Sequence, residues 1–179
     1  AAVMNIDIRG FTPMVAEMEP GVAMRLLSDY QQFIVPIVNR YGGNIDKFMG
    51  DGILVTFSDT DNRPYVADAL RCSDDIINQQ SDWTGPAGQI AINLAITTGP
   101  VLFGAVGHGD RLEFTVVGST VNLSAKLEKH NKVMATKALC DARTYGLAIS
   151  QGYNADTRRK SVESTIEGND SPHSLVILA

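Results

Sequence analysis

Apolar positions dominate the stretch from Ala1 to Ile8, which predicts a strand buried on both faces. Arg9-Gly10 ends it. Phe11-Thr12-Pro13 then opens a helix, with Thr12 expected as the N-cap and Pro13 at the first helical position. Pro20-Gly21 breaks the chain. From Val22 to Arg40 the residues Leu26, Leu27, Tyr30, Phe33, Ile34, Ile37 and Val38 recur at helical spacing, and Pro36 is expected to kink that helix by removing a backbone donor. Tyr41-Gly42-Gly43 ends it. Two apolar runs within Asn44–Phe57 flank Gly50-Asp51-Gly52 and predict a hairpin.

After a polar loop from Asp59 to Arg63, Pro64 starts a helix running to about Gln80, and Ser81–Gly88 reads as loop. Strands are expected at Ile90–Thr97 and Val101–Val106, separated by Thr98-Gly99-Pro100. A further strand, Arg111–Val117, follows the turn Gly107-His108-Gly109-Asp110. Gly118-Ser119 precedes a helix from Thr120 to about Asn131. Met134–Cys140 reads as a short strand and Ala142–Gly152 as a helix. The tail reads as one or two edge strands ending at Leu178. This succession predicts an α+β or α/β sandwich, a mostly antiparallel sheet flanked by helices, in a single domain over 1–179.

Composition narrows the function classes. At 179 residues the chain can bury roughly 70% of its unfolded surface without disulfides or metal. Hydrophobic residues make up 44% and charged residues 20%, which excludes a disordered tail and a coiled coil. Fifteen Lys and Arg against twenty Asp and Glu give a net charge of −5, unsuited to general binding of nucleic acid or an anionic membrane. Cys72 and Cys140 stand in no metal-binding spacing and read as buried free thiols. The apolar stretch Ala91–Val106 is interrupted by Thr97, Thr98, Gly99 and Pro100, so it reads as strand, turn and strand instead of a membrane span. No signal peptide is visible, and apolar residues lead from Ala1 straight into a strand. The expectation is a cytoplasmic domain excised from a longer protein, whose remainder holds a regulatory region or a membrane anchor.

Asp7 near the end of the first strand and Asp51 at the hairpin tip bring two carboxylates to one rim of a sheet, a donor set for hard divalent cations. The helix start after Ile8 offers backbone N–H groups to a phosphate. Paired metals facing a polyphosphate make a phosphoryl-transfer site.

These residues carry a resemblance. Asn5-Ile6-Asp7-Ile8-Arg9-Gly10-Phe11-Thr12 resembles the first metal motif of the class III adenylate/guanylate cyclases, and Lys47-Phe48-Met49-Gly50-Asp51 resembles the second. The run from Thr115 through Asn122 and Lys126 to Glu128 resembles the third. Thr98-Gly99-Pro100-Val101 and Gly104-Ala105-Val106-Gly107 match the strands between, and the likeness thins after about Gly152. The resemblance implies the ferredoxin-like-derived cyclase fold and a head-to-tail homodimer with two shared sites. Asp7, Asp51 and the Ile8 carbonyl would hold two Mg²⁺ or Mn²⁺ ions. Gly10, Phe11 and Thr12 would meet the phosphates of ATP. Lys47 and Thr115 would read the purine, as donor to adenine N1 and acceptor from the 6-amino group. Asn122 would orient the ribose and Lys126 would stabilise the transition state. The expected product is 3′,5′-cyclic AMP, with pyrophosphate leaving. Thr115 also resembles the subgroup holding the bicarbonate-responsive enzymes, which makes a bicarbonate response an expectation to test.

Two positions depart from the family pattern. Lys126 stands where the family usually has arginine, keeping the charge but not the bidentate fork. Glu167, in Ile166-Glu167-Gly168, stands where a phosphate-contacting lysine is expected; Arg158, Arg159 and Lys160 lie nearby as substitutes or as a solvated charge cluster. These departures motivate an alternative, a catalytically impaired, cyclase-like nucleotide-binding regulatory domain. A diguanylate cyclase is a third reading. It shares a related sheet, and Gly42-Gly43-Asn44 superficially matches its signature, but the acidic pair that should follow is absent. His108 and Trp83 are assigned no chemistry, and Arg111 resembles a position at the family's dimer interface.

Overall fold

The computed structural model describes residues 1–59, 62–85, 88–109, 111–154, 159–168 and 171–179, except for the side chain of Arg111. The elements follow the order β1 (Ala2–Ile8), α1 (Phe11–Ala16), α2 (Pro20–Arg40), β2 (Asn44–Met49), β3 (Gly52–Phe57), α3 (Tyr65–Gln79), β4 (Ile92–Thr98), β5 (Leu102–His108), β6 (Arg111–Val117), α4 (Ser119–Met134), β7 (Ala138–Asp141), α5 (Ala142–Ser150), β8 (Ser161–Thr165) and β9 (Pro172–Ile177). A seven-stranded sheet has the order β2-β3-β1-β4-β7-β9-β8. All of its pairings are antiparallel except β4 with β7.

Four local expectations change. Helix α1 begins at Phe11 with Gly10 as its cap, in left-handed conformation at φ 72°, because glycine enters that region without a Cβ clash; Thr12 is inside the helix. Met134 ends α4, so β7 starts only at Ala138. Strand β9 is internal, between β7 and β8, so of the two tail strands only β8 lies at an edge. Strands β5 and β6 leave the main sheet and pair as a separate hairpin. The central sheet is mostly antiparallel, as expected, and Cys72 and Cys140 are buried and free.

Strand β1 lies between β3 and β4, so both of its edges are paired. Its period-two alternation sends Ala2, Met4, Ile6 and Ile8 into the large core shared with Leu26, Tyr30 and Ile34 of α2 and Leu70 and Ile76 of α3. Val3, Asn5 and Asp7 take the other face, towards α4. Asn5 Nδ2 donates to Ser124 Oγ at 2.9 Å, and Ser124 Oγ lies within hydrogen-bond distance of the Val3 and Ala95 carbonyls. Two residues along a strand advance about 6.6 Å and four along a helix about 6 Å. The contact of Asn5 with Ser124 therefore predicts Asp7 beside Glu128, one helical turn further on.

Candidate active site

That register places a charged cluster at the rim of the sheet. The Asp7 carboxyl lies beside that of Asp51 and close to the backbone N–H of Ile8. Burial pushes the Asp7 carboxyl up to about 8, and neighbouring Asp51 and the charge of Glu128 act in the same direction. Asp51 reaches this position from the two-residue turn Gly50-Asp51, where Gly50 takes φ 68° and Met49 pairs with Gly52. Glu128 is buried; its carboxyl is raised to about 6 by burial, against the pull of Lys129, a hydrogen bond from Asn93 and the charge of Arg9. Asn93 sits directly across from Asp7 in the β1/β4 register. The phenol of Tyr30 feels Asp7, Asp51 and Glu128, and is pushed well above its ordinary range, chiefly by burial. Tyr30 and the Oδ1 of Asn93 are buried without a hydrogen-bond partner in the structure.

This donor set fits a hard divalent cation. Two carboxyls held against each other in a half-buried site carry a repulsion that a cation would relieve. Among the described residues no group of three His, Cys, Asp or Glu side chains forms a complete metal cluster.

The expected purine readers meet through a residue that the sequence reading passed over. A register shift between Ile45 and Lys47 in β2 lets two adjacent side chains, Asp46 and Lys47, both reach β6. The buried Asp46 carboxylate accepts the Val116 N–H at Oδ1 and the Thr115 hydroxyl at Oδ2, each at 3.1 Å. Lys47 Nζ lies 2.6 Å from Glu113 Oε1 and 3.9 Å from Asp46 Oδ2.

Asn122 and Lys126 line a cleft of about 670 Å³ between the start of α4, the β4–β5 turn, Arg143 and His173. Helix α4 starts tight against that turn: Thr120 Oγ1 donates to the Pro100 carbonyl, and a Cβ on Gly99 would lie 2.6 Å from Thr120 Oγ1. Lys126 Nζ donates to the Gly168 carbonyl at 3.4 Å, with exposed Glu167 alongside. Among the described residues the cleft wall includes none of Asp7, Asp51, Lys47 or Thr115. Gly10, Phe11 and Thr12 form the first turn of α1, whose N–H groups have no helical acceptor. Arg159 is engaged elsewhere, 2.6 Å from Asp74 and over the ring of Tyr153; Arg158 lies outside the described residues.

The β5–β6 hairpin carries an exposed apolar face. Phe103, Leu112 and Phe114 lie on one side of it, and Leu112 and Phe114 are each 67% exposed. No helix among the described residues is long and apolar enough to cross a membrane.

Comparison with known proteins bears on the family and the fold. The profile of the adenylate and guanylate cyclase catalytic domain matches residues 1–174. An adenylate cyclase of Anabaena cylindrica is 31% identical over 97% of this chain and 35% of its own length. The terminal-differentiation-specific adenylate cyclase of Dictyostelium discoideum is 29% identical over 74% of this chain and 6% of its own. The chain thus spans about a third or less of these relatives. Among solved structures, the adenylyl cyclase CyaB from P. aeruginosa superposes with a TM-score of 0.80 at 26% identity, covering 98% of this chain and 91% of that one. The guanylate cyclase domain of RhGC from Catenaria anguillulae, in complex with GTP, shares the fold at a TM-score of 0.83 and 20% identity, covering 98% and 93%.

Proposed function

This chain belongs to the family of adenylate and guanylate cyclase catalytic domains, and we propose that it is an adenylate cyclase working as a head-to-tail homodimer with two shared sites. The ribose 3′-oxygen of ATP bonds to the α-phosphorus, the bond from that phosphorus to the β-phosphate bridge breaks, and pyrophosphate leaves with cyclic AMP as product. The observation that carries this reading is the juxtaposition of the Asp7 and Asp51 carboxyls at the rim of the sheet. With the Ile8 carbonyl these would hold two Mg²⁺ or Mn²⁺ ions, which when bound lower the pKa of the 3′-hydroxyl and neutralise the phosphates.

The remaining roles fall to the other groups. N–H groups at Gly10, Phe11 and Thr12 receive phosphate oxygens. Asn122 orients the ribose, and Lys126 supplies positive charge to the transition state from the same helical face, four residues on. Lys47 donates to adenine N1 and Thr115 accepts from the 6-amino group; guanine presents the opposite pattern at both positions. The separation of the Asn122–Lys126 cleft from the aspartates supports a site completed by a second copy. So does the apolar face of the β5–β6 hairpin, which is large for a surface meant for water. A cytoplasmic location and a regulatory region elsewhere in the parent protein belong to the same reading, and the short span against the relatives supports it.

The contact of Lys126 with Gly168, beside the acidic Glu167, favours the second reading of a catalytically impaired nucleotide-binding module. Product formation separates the two. The purified chain, at a concentration where it is verified as a dimer, is given ATP or GTP with Mn²⁺ or Mg²⁺. Cyclic AMP from ATP alone is expected. No product from a dimer that binds ATP would move the assignment to the impaired module.

A further inference from the structure

The hydroxyl of Thr115 has a fixed polarity, and Asp46 fixes it. A threonine hydroxyl holds one proton and two lone pairs, so by itself it serves a donor or an acceptor equally well. That ambiguity would make Thr115 a poor discriminator between the 6-amino group of adenine and the 6-oxygen of guanine. In the structure the Asp46 side chain is 4% exposed, and its two oxygens face two donors, the Val116 N–H and the Thr115 hydroxyl, at 3.1 Å each. A carboxylate only accepts. The Thr115 proton is therefore committed to Asp46, and the oxygen can only accept from anything else that approaches it.

We infer that Asp46 is a specificity-positioning residue, which locks Thr115 Oγ1 as an acceptor and so selects a purine carrying a hydrogen-bond donor at position 6. This inference rests on the purine-reading role proposed for Thr115. The bond from Asp46 to the Val116 N–H ties the carboxylate to the backbone of β6, so it cannot rotate away from Thr115 without losing a buried acceptor for that amide. The register shift in β2 is what brings Asp46 to this position beside Lys47 instead of on the opposite face. Lys47 lies 3.9 Å from the same Asp46 oxygen and is held by Glu113 at 2.6 Å, and its ammonium has three donors to distribute. One side chain thus touches both expected readers of the base.

Asp46→Asn tests the polarity directly. Its carbonyl oxygen keeps the Val116 bond while its NH₂ faces Thr115. The hydroxyl then accepts from the amide and turns its proton outward, towards a 6-oxygen. The expected result is a fall of about tenfold or more in the ratio of kcat/KM for ATP over GTP, seen mainly in KM. An equal loss on both nucleotides, with the ratio unchanged, would show Asp46 to be structural only and would overturn the inference. If the wild-type chain makes no cyclic nucleotide, the proposed function fails separately; the ratio of dissociation constants for ATP and GTP, wild type against Asp46→Asn, then decides the inference in the same way. If Asp46→Asn does not fold, the wild-type chain still answers. Purine riboside triphosphate lacks any 6-substituent but keeps N1, and it is expected to bind about tenfold more weakly than ATP. Equal affinity would mean that no acceptor is presented at Thr115, and the inference falls.

Discussion

The carboxyl of Asp7, in β1, lies beside that of Asp51, in the turn between β2 and β3, and Asp51 helps to hold it above the ordinary carboxylate range. With both groups ionised, two like charges would face each other in a half-buried place. A divalent cation between them would relieve that repulsion.

Asp7→Asn is accordingly expected to raise the melting temperature of the metal-free domain, by an amount that grows with pH. In the unfolded chain the Asp7 carboxyl ionises in the ordinary carboxylate range, but in the folded chain only near about 8. Across that window the unfolded state binds fewer protons, so folded stability falls as pH rises, and the whole penalty is present above about pH 8. Melts at about pH 4 and about pH 8.5 should show little advantage for the variant at the lower value and several degrees at the higher. An advantage independent of pH would refute the assignment. Added Mn²⁺ should raise the wild-type melting temperature and leave the variant unmoved.

Mixing Asp7→Ala chains with Asn122→Ala chains should restore activity that neither shows alone. Each heterodimer would contain one site with both defects and one with none. Random pairing puts half the dimers in that form, each with half its sites intact, so recovery to about a quarter of wild-type turnover is expected on the shared-site geometry. Failure to rescue, in a mixture shown to exchange subunits, would argue for sites complete in one chain.

Replacing Leu112 or Phe114 by Glu should separate assembly from folding. Both side chains are two-thirds exposed, so the melting temperature should move little. The dimer should weaken and turnover drop about tenfold or more at micromolar protein. A variant that stays dimeric would take the hairpin face out of the interface.

Lys126→Arg should raise kcat if the planar fork is what the site lacks, by about tenfold for one additional bidentate phosphate contact. A clear loss would mean instead that the Gly168 carbonyl and its turn have adapted to lysine, since a Cβ on Gly168 would lie only 3.1 Å from Lys126 Nζ.

Most of the fold was legible because its signals are local. Pro20, Pro64, Gly118 and the Gly50-Asp51 turn mark element boundaries chemically, and helical spacing marks α2. Asp7 and Asp51 were named from their positions at a strand end and a hairpin tip, and Lys47 and Thr115 from the family resemblance; the structure sets Asp7 beside Asp51 and gives Lys47 and Thr115 a common neighbour, Asp46. Glu128 and Asp46 were missed for two different reasons. Glu128 joins Asp7 only through the packing of α4 along β1, a contact more than a hundred residues apart in sequence. Asp46 should face away from Lys47 in a regular strand; the register shift that turns both towards β6 leaves no mark in residue type. The departure of the β5–β6 hairpin from the main sheet was hidden likewise, because its strands have ordinary strand composition whether or not a third strand pairs with them.

The central place of β1 has a consequence during synthesis. Within this domain β1 is made first, yet its two neighbours pair through Phe57 and Thr98, and the sheet extends past β4 only once Ala138 is available. An apolar strand with both edges open must therefore wait for partners while the ribosome advances. Until β3 arrives, the matching strand of a neighbouring nascent chain offers the same pairing. Fewer chains per message, or slower initiation, should thus improve the yield of folded domain more than lower temperature alone.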